Sequence, residues 1–217
     1  MRKTIAQRLS LSKQTVPHFY VSMEIAMEAA AQFREQLNRL DPERPKLSFD
    51  VMIAKACATA LQKFPTVYSQ YTDEGIVQPD GIHIGLAVAL EEGLIGPVIR
   101  DVDRKSLSTI AGDAAALVEK ARAGKLQPNE YAGGTFTISN LGMYGVTDFV
   151  AVINPPESAI LAVGGIHEVP VVRDGQLAVG KQMVVTLSAD HRAIDGAVAA
   201  QFLREVKRLL EAPLLLV

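Results

Sequence analysis

The residues best suited to chemistry lie in short stretches of the 217-residue sequence. In the stretch DHRAIDG at residues 190–196, His191 follows a long apolar run that predicts a strand and precedes a run that predicts a helix. Junctions of rigid elements present side chains to solvent or substrate, and a near-neutral histidine can accept a proton from an alcohol or a thiol. His191 is therefore a candidate general base. The structural alternative makes Asp195 the N-cap of the last helix and Asp190 a surface partner of Arg192.

A metal site at His191 is the weaker hypothesis. His191 and Asp195 are four residues apart, but a helix that begins at Asp195 does not bring both to one face, and the sequence offers no obvious third ligand. The single cysteine, Cys57, falls within a run that predicts a buried helix, and one cysteine cannot form an internal disulfide or a cysteine-rich metal site. We therefore predict no metal.

The second stretch is TFTISNLG at residues 135–142, which begins as a strand. In a strand, Thr135, Thr137 and Ser139 lie on one face. Three hydroxyls in a row can line a polar pocket and donate to an oxyanion; the alternative is an edge strand with a solvated face. A third stretch, GLIGPVIR at residues 93–100, indicates either a close approach by a ligand or another backbone, or a corner of the sheet.

Composition narrows the class of protein. The chain carries 24 acidic and 22 basic residues, a formal charge of -2, and 48% of its residues are hydrophobic. This balance is typical of a globular protein and argues against a nucleic-acid partner. The sequence has no apolar run of 18 residues, and its first ten residues lack the apolar core of a secretory signal, so we expect neither a membrane span nor export.

The hydrophobic periodicity predicts helices and strands in irregular alternation. Ser48 and a serine at 106 or 108 are suitable N-caps. The helices are expected at 2–14, 28–40, 49–64, 106–124 and from 195 onward, and the strands at 18–27, 66–71, 75–78, 83–90, 94–101, 135–140, 158–172 and 177–190. Gly164-Gly165 is expected to interrupt the long strand, and EEG at 91–93 to connect a hairpin. This order predicts one α/β domain over residues 1–217, a sandwich in which helices cover a mixed sheet.

Several stretches together resemble a known family. HRAIDG fits the His-x-x-x-Asp-Gly signature of thiol-ester acyltransferases of the chloramphenicol acetyltransferase type. RKTIAQRL, SKQTVPHFY, HIGLAVALEEGLIGPVIRD and FTISNLGMYGVTDFVAVINPPESAILAVGGI accompany it in the right order. Over essentially its whole length the chain is similar to the catalytic core domain of the dihydrolipoamide acetyltransferases, the core component of pyruvate dehydrogenase complexes. The resemblance implies a chloramphenicol acetyltransferase-like sandwich that forms trimers.

The resemblance also implies a reaction and roles for particular residues. Family members transfer an acetyl group between a dihydrolipoyl thiol and coenzyme A. His191 matches the base that takes the proton of the CoA thiol, Ser139 the hydroxyl that stabilises the tetrahedral oxyanion, and Asp195 the acidic position that orders the site. The positions expected to contact substrate or cofactor are Thr137, Gly142, Leu94 and Pro97. Arg8 and Asp190 are expected to pair and support the histidine loop.

The same resemblance implies an assembly. Family cores are homotrimers that build 24-mers or 60-mers, with His191 of one chain facing Ser139 of its neighbour. The tail PLLLV at 213–217 is expected to be buried against a partner chain, or else folded back on its own domain. The family's lipoyl and subunit-binding domains are absent from this sequence, so the lipoyl-lysine arm and the contacts to pyruvate dehydrogenase and dihydrolipoamide dehydrogenase are expected to come from elsewhere. The single free cysteine fits a reducing compartment, bacterial cytoplasm or mitochondrial matrix.

Two other functions remain open from the sequence. One is an inactive core homologue that serves only as a scaffold for partner enzymes, against which the presence of both His191 and Ser139 argues. The other is a drug-modifying acetyltransferase on the same fold, against which the stretches PHFY and INPPESAILAVG argue.

Overall fold

A computed structural model describes residues 2–90 and 93–217, and a six-stranded mixed sheet lies at its centre. From edge to edge the strands are β1 (His18–Ala26), β10 (Gln176–Asp190), β9 (Ala159–Arg173), β8 (Phe136–Asn140), β4 (Ile84–Leu86) and β7 (Val98–Ile99). β8 is parallel to β9 and to β4, whereas the other neighbours are antiparallel. Two small hairpins pair β2 (Gln70–Thr72) with β3 (Gly75–Val77) and β5 (Val88–Leu90) with β6 (Gly93–Ile95). The predicted mixed α/β class is confirmed.

The helices cover the stretches that the periodicity predicts, and two of them begin at serine N-caps. They are α1 (Arg2–Thr15), α2 (Glu28–Leu40), α3 (Phe49–Lys63), α4 (Leu107–Arg122), the short α5 (Pro128–Tyr131) and α6 (Gly196–Glu211). The Ser48 hydroxyl accepts from the Val51 N–H at the start of α3, and Ser106 caps α4 in the same way. In the part of the chain that the structure describes, no helix is long and apolar enough to cross a membrane.

One face of the sheet carries the main core. α3 is buried nearly all round, as its apolar composition predicts, and it packs against α6. From β8, Phe136 and Ile138 point into this core, and the Phe136 ring meets that of Phe202 on α6 with centroids 5.7 Å apart. Because side chains alternate along a strand, Thr137 and Ser139 point to the opposite face of the sheet. That face carries the candidate site.

Three predicted strands are wrong in part. The stretch 94–101 is divided at Gly96-Pro97 between β6 of the small hairpin and β7 of the large sheet. The stretch 66–71 begins within a 3-10 helix (Pro65–Tyr68), whose first position is Pro65, and only Gln70–Thr72 is extended. The predicted strand 83–90 is broken at Ala87, whose N–H donates to the Ile138 carbonyl. Its first half belongs to the large sheet and its second half to a hairpin with β6. That antiparallel pairing agrees with the predicted hairpin, while Glu91 and Glu92 of its connection lie outside the described residues.

Gly164-Gly165 does not interrupt its strand, contrary to expectation, because β9 is continuous there. A Cβ at Gly164 would lie 2.0 Å from the Thr147 carbonyl oxygen. The glycine therefore serves a close approach by the segment that contains Thr147. At the C-terminus, Pro213 and Leu216 are buried in their own domain, whereas Leu214 and Val217 are exposed, so the tail folds back only in part.

Candidate active site

A cavity of about 740 Å³ lies on the face of the sheet that carries Thr137 and Ser139. One face of α1 lines it through residues spaced three or four apart, and the 149–157 segment lines it from another side. The residues of α1 that line the cavity are Thr4, Ile5, Arg8 and Leu9. The hydroxyls of Thr137 and Ser139 lie among mainly apolar neighbours. An apolar cavity with a few convergent polar groups is typical of a small-molecule site.

Hydrogen bonds across the chain fix the walls of this cavity. The Ser12 hydroxyl of α1 is buried and donates to the Ile153 carbonyl at 2.6 Å. The Ile153 N–H in turn donates to Nε2 of His18 at 3.1 Å, and His18 opens β1. α1 and the 149–157 segment are thereby joined to each other and to the edge of the sheet. His18 thus anchors the cavity wall.

Glu157 is the cavity residue that sequence reasoning missed. It is 7% exposed, lies two residues before the buried start of β9 at Ala159, and lines the cavity. Burial raises the pKa of its carboxyl to about 8, and a hydrogen bond from Thr137 offsets this only in part. Within the described chain, Oε2 of Glu157 has no hydrogen-bond partner. An acidic residue placed between Pro155-Pro156 and the apolar run at 159–166 was the signal that could have found it.

His191 lies in a rigid turn that follows β10. Its N–H donates to the Pro17 carbonyl at 3.1 Å, and its ring packs on Phe19 with centroids 4.6 Å apart. The Asp190 carbonyl accepts the N–H groups of Ala193 and Ile194 and closes the turn. The histidine itself is exposed, so its ring is held in place yet open to a substrate or to another chain.

The predicted pair of Arg8 with Asp190 is wrong within this chain. The Asp190 carboxylate is buried and accepts from both Nε and Nη2 of Arg192, the latter at 2.8 Å. The Arg192 guanidinium also stacks 4.1 Å above the Tyr71 ring. Asp190 and Arg192 are two residues apart on one tight turn, so Arg192 lies close enough to bind the carboxylate. Arg8 lines the cavity instead. The alternative prediction, in which Asp190 is the partner of Arg192, describes the structure better, although the pair is partly buried and does not lie at the surface.

The other predicted site residues divide between the cavity and its supports. Leu94 lines the cavity, whereas Pro97 does not, although Gly96 and Val98 beside it do. Thr135 is withdrawn from the row of hydroxyls, because its Oγ1 is buried and bonded to the His83 backbone. Gly142 also lies outside the cavity. A Cβ there would lie 2.8 Å from the Gly164 carbonyl oxygen, so this glycine permits backbone packing.

Asp195 and Cys57 complete the set of candidates. Asp195 is exposed at the N-cap position of α6, and its side chain makes no capping hydrogen bond. Its carboxylate is therefore available to other groups near His191. Burial raises the pKa of the Cys57 thiol, which keeps it protonated and unreactive in the core. Among the residues that the structure describes, no three metal-ligating side chains cluster closely enough to hold an ion.

Strand directions separate Ser139 from His191 within one chain. Ser139 pairs with Ala162 on β9, and Ala162 pairs with Thr186 on β10. β10 runs antiparallel to β8, and His191, in the turn after β10, lies five residues beyond Thr186. At about 3.3 Å per residue and about 4.8 Å per strand, the two Cα atoms are roughly 15–20 Å apart. The two side chains of a single chain are therefore not in contact with each other.

Comparisons with known proteins identify first the fold and then the family. The structure is similar to chloramphenicol acetyltransferase, with a TM-score of 0.59 at 15% identity over 94% of each chain, which establishes the fold. The family model described as 2-oxoacid dehydrogenases acyltransferase (catalytic domain) matches residues 1–217. The chain belongs to this family of acyltransferase catalytic domains.

Two curated relatives are dihydrolipoyllysine-residue acetyltransferase components of pyruvate dehydrogenase complexes. The chain is 44% identical over its full length to the dihydrolipoyllysine-residue acetyltransferase component of the pyruvate dehydrogenase complex of Rickettsia bellii, covering 52% of that protein. It is 47% identical over 98% of its length to the mitochondrial counterpart of Caenorhabditis elegans, covering 43% of that protein. The chain thus spans about half the length of the curated relatives it matches.

Two solved structures match closely. The cubic core of the pyruvate dehydrogenase multienzyme complex and the dihydrolipoamide acetyltransferase of Azotobacter vinelandii each give a TM-score of 0.93 at 35% identity, over 99% of this chain and 90% of that chain. The catalytic mechanism of the Azotobacter enzyme was investigated through a serine, a histidine 52 positions later and an asparagine four positions after that. Here Ser139 and His191 are 52 positions apart, and Asp195 follows His191 by four.

Proposed function

We propose that residues 1–217 form a single catalytic domain that transfers an acetyl group between a dihydrolipoyl thiol and coenzyme A. The observation that carries this proposal is the spacing of Ser139, His191 and Asp195, which reproduces the spacing of the three residues studied in the Azotobacter enzyme. The departure is Asp195, where that protein has asparagine. Family membership and the apolar cavity around Ser139 support the same reaction.

The reaction needs a base and an oxyanion donor. His191 removes the proton from the CoA thiol, since the thiolate is the reactive nucleophile. The sulfur attacks the carbonyl carbon of the acetyl-dihydrolipoyl thioester, the C–S bond forms, and the carbonyl oxygen becomes anionic. The Ser139 hydroxyl donates to this oxyanion. Collapse of the intermediate breaks the bond to the dihydrolipoyl sulfur, and this sulfur accepts the proton that His191 removed from the CoA thiol.

Residues from two copies of the chain complete this site. The separation of roughly 15–20 Å between Ser139 and His191 in one chain supports a site at a subunit interface. We propose a homotrimer in which His191 of one copy faces Ser139 of the next, with trimers joined into a 24-mer or 60-mer core. Exposed apolar residues support association, both at the tip of the β9–β10 hairpin, where Leu177 is 82% exposed, and at Leu214 and Val217.

CoA acts as a substrate, and the lipoyl group is expected to arrive on a separate lipoyl domain. Pyruvate dehydrogenase and dihydrolipoamide dehydrogenase are proposed to bind through domains outside this stretch. Bacterial and mitochondrial relatives support bacterial cytoplasm or mitochondrial matrix as the location.

A thiol-ester assay tests the reaction. Purified protein is mixed with acetyl-CoA and free dihydrolipoamide, beside the variant His191→Ala and the control Glu119→Gln, which changes an exposed residue of α4. We expect turnover in the wild type and the control, and a loss of about 10²–10⁴-fold in His191→Ala. No turnover in folded, assembled wild-type protein would favour the scaffold function instead.

Mixed assemblies test the shared site. His191→Ala and Ser139→Ala chains, each nearly inactive alone, are co-expressed with different tags and purified through both. In a trimer that contains both kinds of chain, about one interface in three joins an intact histidine to an intact serine, and in large particles of randomly mixed trimers the average is about one in four. Activity of about a quarter to a third of the wild type per chain is therefore expected. Activity no higher than in either parent would place both residues of a site in one chain.

A further inference from the structure

The reaction above leaves one cavity residue unused, the buried Glu157. Its N–H donates to the Asn154 carbonyl at 3.1 Å, which fixes the backbone just before β9. A Cβ at Gly134 would lie 2.9 Å from Oε1 of Glu157, so the glycine leaves the space that the carboxyl fills. The side chain therefore occupies a shaped position in the cavity wall.

Among the residues that the structure describes, no cation balances this carboxyl. Arg8 and Tyr131 are the other titratable side chains that line the cavity in the described chain, and neither contributes to the pKa of Glu157. Within the described ranges, Thr137 is the one side chain that offers it a hydrogen bond, and Oε2 has no partner there. A buried carboxyl in such surroundings favours its protonated form, which carries one O–H donor.

The rest of the cavity determines what this donor can bind. Apolar residues of β6, such as Leu94 and Ile95, and of the 149–157 segment line most of the surface, and they favour an uncharged, narrow ligand. The partner of a neutral O–H donor is an acceptor such as a carbonyl oxygen. Both thiol substrates of the proposed reaction carry amide carbonyls on the arm behind the reactive sulfur.

We propose that Glu157 is a substrate-binding residue that donates a hydrogen bond, oriented by Thr137, to an amide carbonyl oxygen on the arm of a thiol substrate. This inference rests on the proposed acetyl transfer. The carbonyl belongs either to the pantetheine arm of CoA or to dihydrolipoamide, and separate kinetics for the two substrates distinguish them.

The test compares Glu157→Leu, which removes the donor, with Glu157→Gln, which restores a neutral donor of the same length. Glu119→Leu and Glu119→Gln are matched controls on an exposed helix face. We expect Glu157→Leu to raise KM for one of the two thiol substrates about 3- to 10-fold, the range of a lost hydrogen bond, with a smaller change in kcat. Glu157→Gln should recover most of this loss at neutral pH. Above about pH 8 the KM of the wild type should rise while that of Glu157→Gln stays level.

The outcomes separate this inference from the reaction itself. An unchanged KM for both substrates, an effect on kcat alone, or a Glu157→Gln variant as impaired as Glu157→Leu would overturn it. If the wild type shows no turnover, calorimetric titration with CoA and with dihydrolipoamide replaces kinetics. A weaker affinity in Glu157→Leu would then support the binding role although the proposed reaction had failed, and equal affinities would overturn it.

Discussion

Replacement of Glu157 by glutamine should change how stability depends on pH. The carboxyl is 7% exposed, and burial raises its pKa from 4.5 to about 8. A raised pKa means that the folded chain holds this proton after the unfolded chain has released it, so its contribution is full below about pH 4.5 and is lost as the pH rises to about 8. At about 1.36 kcal/mol for each pH unit, the whole difference is about 5 kcal/mol. This is an upper bound, because water entering the cavity would screen the charge.

Urea unfolding at pH 5, 7 and 9 measures this effect at one fixed protein concentration. Glutamine does not titrate, so the stability of Glu157→Gln relative to the wild type should grow by up to about 3 kcal/mol between pH 5 and 7 and level off above pH 8. Glu119→Gln should follow the wild type at every pH, since its side chain is exposed. Parallel profiles for Glu157→Gln and the wild type would show that the carboxyl ionises normally and would refute the reasoning.

Three further changes probe the site and the assembly. Ser139→Ala should lower kcat about 10²–10³-fold through loss of the oxyanion donor, with KM little altered; a loss below 10-fold in the thiol-ester assay would remove this role. Asp190→Asn should lower the unfolding free energy by about 1–2 kcal/mol in urea unfolding, because the ion pair with Arg192 is lost. It should also lower kcat and change KM less, because the turn that holds His191 loses support. Leu214→Ser with Val217→Ser should leave the melting temperature unchanged and reduce particle mass in light scattering; unchanged mass would exclude these side chains from core contacts.

Local physics made much of the fold predictable. The bounds of α2 and α3 follow from amphipathic periodicity, from Ser48 as a cap and from Pro65 as a stop. The interruption expected at Gly164-Gly165 was wrong. Glycine is needed there because the Thr147 carbonyl packs closely against Gly164, and the local sequence does not show this contact. The break of the strand at Ala87 has the same origin, since the chain there passes from one sheet to another.

In the candidate site, too, local sequence patterns predicted some features and the tertiary fold determined the others. Alternation on β8 correctly placed Thr137 and Ser139 on one face, but Thr135 was lost to a hydrogen bond with the backbone of His83, distant in sequence. The importance of His191 came from its position at a junction of elements. Its distance from Ser139 depends on the order and direction of three strands, which periodicity does not encode. Glu157 escaped notice because only the fold buries it.

A neutral Glu157 also matters to the charge that develops in the proposed reaction. Thr137 and Ser139 are two residues apart on one strand face, about 6.6 Å. A carboxylate beside Thr137 would therefore lie roughly 8–10 Å from an oxyanion held by Ser139. At an effective dielectric constant of about 20, the repulsion between two unit charges at that distance is roughly 2 kcal/mol, or about 30-fold in rate. Because burial keeps the acid protonated up to about pH 8, the cavity can contain a polar group that binds an uncharged arm without opposing the negative charge at the reacting carbonyl.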